Sequence, residues 1–216
     1  ATLPGVLIGY TNEAARAFLR VPALRDQTGS DLLDRYTDIL RTLGKTPGIL
    51  VDIYAEALRA FPRSDHRHRI EHCGVCRPAD VARLAALGVT PVPQGRFISE
   101  IGDGMLAALG PERATWCYRQ RSFLAAGLPL PGSSDRPVVQ GAPLLGIHDM
   151  VNQQTASGRP FNPAEALTAE EAIRCYTLHS ARAAFREHDL GSLEAGKLAD
   201  FAVLSADPTA IAPGAI

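Results

Sequence analysis

An α/β fold with parallel strands is the architecture this sequence predicts. Three observations carry that expectation. Short apolar runs of strand length alternate with longer segments of helical periodicity. The 19 glycines and 16 prolines fall between those segments and act as punctuation. Hydrophobic residues make up 46% of the 216 positions and charged ones 21%, which supplies a core and excludes a disordered chain.

The elements follow in order. Asn12 to Leu19 reads as a helix with Asn12 as its N-cap, and Asp31 to Leu43 as a second, stopped by Gly44. Leu50, Tyr54, Leu58 and Phe61 form a helical stripe ended by Pro62. Arg67 to Cys73 reads as a short buried strand. Pro78 to Leu87 reads as an amphipathic helix with proline in its first turn and Gly88 behind it. Val89 to Val92 is a second strand. Arg113 to Ala126 is a helix stopped by Gly127, and Leu128 to Leu130 is a third strand. Thr168 and Glu171 form a capping box for a helix reaching about Phe185. Phe201 to Leu204 is a final short strand. Four strands fall short of the eight that close a (β/α)8 barrel, so the pattern describes part of one, a partial TIM-like barrel.

Charge and composition narrow the partners. The formal net charge is -1, which gives no electrostatic footprint for nucleic acid or a membrane surface. No apolar run is long enough to span a bilayer and no secretory pattern opens the chain, so a cytoplasmic protein is expected. Four cysteines (Cys73, Cys76, Cys117 and Cys175) are too sparse for a disulfide scaffold. Cys73 and Cys76 make a C-x-x-C, but no second pair stands at zinc-knuckle spacing. Gly44-Lys45-Thr46 has the ending of a phosphate-binding loop, yet Ile39 stands where that loop needs glycine.

Two residues invite a chemical reading. His72 ends the strand-like run from Arg69, and strand C-terminal ends are where parallel α/β folds place functional side chains. It is either a metal ligand or a satisfied structural histidine. Asp135 follows a short strand and a Gly-Ser turn, where a carboxylate binds metal, accepts a proton from water, or caps the turn. Glu71, Gln94, Arg96 and Arg136 stand at or just after strand ends and are candidates for contact with substrate. His148, His179 and His188 read as surface or helix residues.

Four ordered blocks add a resemblance. They are Asp65 to Cys73 (DHRHRIEHC), Gly132 to Val138 (GSSDRPV), Ala166 to Ala172 (ALTAEEA) with Tyr176 and Thr177, and Gly191 to Asp200 (GSLEAGKLAD). Together, from about Leu50 onward, the chain resembles the amidohydrolase superfamily. The branch is the amidohydrolase-3 type, which includes N-substituted formamide deformylase-like proteins. The resemblance implies a (β/α)8 barrel with a small β-sandwich built from both chain ends. It implies zinc or another divalent metal, hydrolysis of non-peptide carbon–nitrogen bonds, and a small-molecule amide substrate. His72 matches the family's strand-6 ligand, and Asp135 its strand-8 ligand and proton shuttle.

Other family ligands find no match. His66 and His68 directly precede the strand-6 block, so they are not the family's N-terminal H-x-H pair. Gly44 to Ile49 holds no histidine where the strand-5 ligand would stand. Lys45 and Lys197 are the only lysines, and neither is placed as the carboxylated bridge. The expected organisation is a poorly matched segment at 1–48, a partial barrel at 49–188 and a β-sandwich remnant at 189–216. Two functions follow: a truncated metal-dependent hydrolase, or an inactive remnant that binds or self-associates. Open barrel edges favour a homo-oligomer in either case.

Overall fold

The computed structural model describes residues 48–216. The expected helices at 12–19 and 31–43, and the Gly44-Lys45-Thr46 turn, lie outside the described residues.

Helix α1 (Ile49–Ala60) begins after Gly48 and buries Val51 and Tyr54, with Leu50 and Leu58 packed beside them. The expected stripe ends one turn early. Phe61 closes the helix and stays exposed, because Pro62 follows it. The Tyr54 hydroxyl donates to Arg69 O at 2.8 Å and ties α1 to the first strand.

That strand, β1 (Arg69–Glu71), lies parallel to β2 (Thr90–Val92), with Arg69 opposite Thr90 and Glu71 opposite Val92. Ile70 packs into the core, so Arg69 and Glu71 share the opposite face. Helix α2 (Pro78–Leu87) makes the crossover between them. Proline stands in its first turn, and Gly88 closes it at φ 65, a left-handed position that glycine fills without strain. The expectation of parallel strands is met here.

Beyond β2 the sequence misled. Helix α3 spans Phe97–Ala114, kinked at Gly110-Pro111, and helix α4 spans Gln120–Ala125. The expected single helix from Arg113 to Ala126 is therefore broken, with Tyr118 at φ 41 in the turn between. Gly102, Gly104 and Gly110 dilute the apolar pattern of α3. Yet Gly102 is needed there, because a Cβ would come within 3.0 Å of both Thr155 and Phe161.

Leu128 to Leu130 is buried but forms no strand. Pro129 and Pro131 have no N–H to offer a ladder. Among the described residues the parallel pairing is extended by a single bridge, between Gln94 and Ser133. It sets a third segment beside β2, in the order β1, β2, 133.

Helix α5 (Pro143–Asn152) and helix α6 (Ala169–Arg174) complete the layer behind the strands. The Thr168–Glu171 capping box is present in both directions. The rod continues through one π turn, Cys175–His179, into α7 (Ser180–Ala183). One core joins α1, α2, α4, α5 and α6 around Leu84, Val89, Phe123, Leu130 and Met150. A second gathers Phe97, Ile98, Cys117, Tyr118 and Phe161.

The expected strand Phe201 to Leu204 is also absent. The segment has no ladder partner among the described residues, and Phe201 is 70% and Val203 88% exposed. Without a facing sheet, its apolar side chains have nothing to pack on. No helix among the described residues is long and apolar enough to cross a membrane.

Candidate active site

The C-terminal ends of β1, β2 and the 133 segment lie side by side. His72 leaves β1 at φ 65, and its N–H still donates to Val92 O at 3.0 Å. Asp135 stands two residues past the Gln94–Ser133 bridge, at φ 55. The two side chains meet, with His72 Nε2 3.6 Å from Asp135 Oδ2, and both are partly open to solvent. The His72 ring also lies against Phe97, at 5.8 Å between centroids.

The spacing has chemical meaning. Two atoms each about 2.1 Å from a tetrahedral ion lie about 3.4 Å apart, so this pair fits two adjacent ligand positions. It does not complete a site. Among the described residues, no group of three or more His, Cys, Asp or Glu side chains is placed to hold an ion. Cys73 and Cys76 are free thiols outside any such group.

The four candidate substrate contacts are placed differently from one another. Glu71 accepts from Arg69 Nε at 2.8 Å on the face of β1 that turns away from the core. Gln94 is buried between the ends that carry His72 and Asp135. Its Nε2 donates to Val92 O at 3.2 Å, while its Oε1 is buried with no partner. Arg96 has its terminal nitrogens on Asp149 Oδ2 at 3.0 Å and Glu100 Oε1 at 2.7 Å. Arg136 is exposed in the turn after Asp135.

Sequence reasoning passed over the partner of Arg96. Asp149 is 1% exposed and also accepts from Ser99 Oγ and His148 Nδ1, so it is paired as buried charges must be. These residues come from α3 and α5, and no local motif links them. His179, read as a surface or helix residue, is half-buried and accepts the Leu130 N–H at 3.1 Å through Nδ1. Burial lowers its pKa, with Arg174 and Arg182 adding to the effect, so the ring is neutral and fit to accept.

A sequence profile described as the Amidohydrolase family matches residues 38–216. The chain belongs to the amidohydrolase family. It is 34% identical over 167 residues to the N-substituted formamide deformylase of Arthrobacter pascens, covering 77% of this chain and 31% of that protein. It is 31% identical over 161 residues to the putative amidohydrolase YtcJ of Bacillus subtilis (strain 168), covering 73% of this chain and 30% of that one. In structure it resembles an uncharacterized metal-dependent hydrolase from Pyrococcus furiosus, with a TM-score of 0.60 and 34% identity over 74% of this chain and 32% of that chain. This amidohydrolase chain thus spans about a third of the length of the relatives it matches.

Proposed function

We propose that this chain carries one side of the catalytic centre of a metal-dependent hydrolase acting on carbon–nitrogen bonds of small amides or formamides. The observation that carries the reading is the 3.6 Å approach of His72 Nε2 to Asp135 Oδ2 at neighbouring strand ends. The parallel order β1, β2, 133 supports a partial barrel, residues 49–188, with its site at the C-terminal mouth. The exposed apolar residues at 193–204 support a sandwich segment at 189–216.

His72 and Asp135 would hold zinc or another divalent ion. Such an ion supplies Lewis acidity, activating water and polarising the scissile carbonyl. The chain's own residues do the remainder. Asp135 takes the proton of the attacking water and returns it to the leaving nitrogen. Gln94, buried just past β2 between the two, would support the strand ends from behind rather than touch substrate. Glu71 and Arg136, next in sequence to His72 and Asp135, would border the same mouth. Arg96 serves the site indirectly, holding the start of α3 against α5 through Asp149.

A second reading, a self-associating module without catalysis, is favoured by the uncovered side chains of Leu193, Phe201 and Val203. One set of measurements separates the two. Hydrolysis of N-substituted formamides with added zinc, lost in His72→Ala and Asp135→Ala, supports the first. A dimer by sedimentation that dissociates in Phe201→Asp, with no hydrolysis and no bound metal, supports the second.

A further inference from the structure

Asp135 needs a fixed position to act with His72, yet the segment leading to it has lost the usual means of fixing one. Pro129 and Pro131 remove two N–H groups, and no strand forms. The remaining N–H groups from Leu128 to Gly132 can be followed one by one. Leu128 donates to Phe123 O at 3.1 Å, at the end of α4. Leu130 donates to His179 Nδ1 at 3.1 Å, and Gly132 to Cys175 O at 2.8 Å. Two of the three go to the single π turn, Cys175–His179.

The same turn grips the segment beyond its N–H groups. Tyr176 donates its hydroxyl to Ser133 O at 3.1 Å, two residues before Asp135. Its ring lies flat on Gly132, where a Cβ would come within 2.5 Å of the ring. Its hydroxyl sits against Gly146, where a Cβ would come within 1.9 Å. Tyr176 is thereby wedged between the Asp135 segment and α5. Burial, with the Cys175 thiol and the Asp149 carboxylate adding to it, raises its pKa, so it remains a donor across the physiological range. Ser180 closes the arrangement, its hydroxyl 2.8 Å from Cys175 O and 3.4 Å from Gly132 O.

We propose that the Cys175–His179 π turn sets the position of Asp135 relative to His72, with Tyr176 as the positioning residue. A regular helix that served only to cover the strands would have no need of the turn. Single π turns inside helices recur at functional sites, where they redirect local groups. Here the redirected groups are a carbonyl, a hydroxyl and an imidazole, all aimed at the backbone that carries one ligand. The inference rests on the reading of Asp135 as a ligand.

The test compares wild type with Tyr176→Phe, which keeps the ring on Gly132 and removes only the hydroxyl. Amide hydrogen exchange and cobalt(II) binding, followed by its visible absorption, are read on the same samples. The expected result is faster exchange in residues 128–136, by about fivefold for one lost hydrogen bond, with α1 and α2 unchanged. Cobalt affinity falls by about 10- to 100-fold, as when the support of a metal ligand is removed. Exchange in 128–136 that is unchanged, or that rises equally everywhere, overturns the positioning role. So does unaltered cobalt affinity in a variant whose wild type binds it. A wild type that binds no cobalt overturns the metal reading instead, and the exchange pattern then decides the positioning claim alone.

Discussion

His72 Nε2 and Asp135 Oδ2 lie 3.6 Å apart, and both residues are held at left-handed φ values of 65 and 55. Side chains other than glycine pay about 1 kcal/mol for that region, and such residues cluster where function requires them. The pairing is therefore held against a local backbone preference, by the strand ends on one side and the π turn on the other.

That strain yields a prediction. Asp135→Gly removes the left-handed penalty along with the carboxylate. Its stability in urea is expected to equal the wild type or exceed it by up to about 1 kcal/mol, while metal binding is lost. A large loss of stability would show that the carboxylate is structural.

The Arg96–Asp149 pair is expected to be the opposite case. Arg96→Met leaves a carboxylate that is 1% exposed without its cation. Loss of one partner from a buried pair costs about 3 kcal/mol, readable as a lower urea midpoint at constant slope.

Two glycines should diverge. Gly132→Ala drives a methyl into the Tyr176 ring and is expected to lower stability by about 2 kcal/mol or more. Gly104→Ala, in α3 with nothing within 4 Å of the new methyl, is expected to raise it by about 0.5–1 kcal/mol. Thermal unfolding of both variants checks the pair.

The α6 cap gives a pH dependence. Glu171 is held down to a pKa of about 2 by its hydrogen bonds to Arg121 and then to Thr168. Its ionised form is thus favoured in the folded state. The stability it contributes is complete above the ordinary carboxylate value of 4.5 and is lost as pH falls toward about 2. Glu171→Gln should flatten the stability profile between those limits and leave the slope at higher pH unchanged. Thr168→Ala should cost about 1 kcal/mol at neutral pH.

Part of the fold and of the candidate site was legible because its signals are local. Pro78 and Gly88 bracket α2, Thr168 and Glu171 spell out a cap, and His72 follows a three-residue strand in which Ile70 alternates with two charged neighbours. Asp135 was legible through its block, since a Gly-Ser turn before an acid has several uses. What the residues concealed is non-local. Leu128 and Leu130 are buried as strand residues would be, but two prolines deny the segment a ladder, and the distant Cys175–His179 turn supplies partners to Leu130 and Gly132 instead. Helix α3 was hidden by three glycines, of which Gly102 alone makes a close contact, with Thr155 and Phe161. Phe201 to Leu204 has the composition of a strand, but strand propensity acts through neighbours, and none faces it among the described residues.

The most direct test of the His72–Asp135 pair is equilibrium dialysis against zinc, with wild type, His72→Ala and Asp135→Ala run side by side. The pair predicts weak zinc binding that saturates at one per chain in the wild type and is lost in each variant, with the fold intact by circular dichroism. Zinc retained in both variants, or none bound by the wild type, would contradict it.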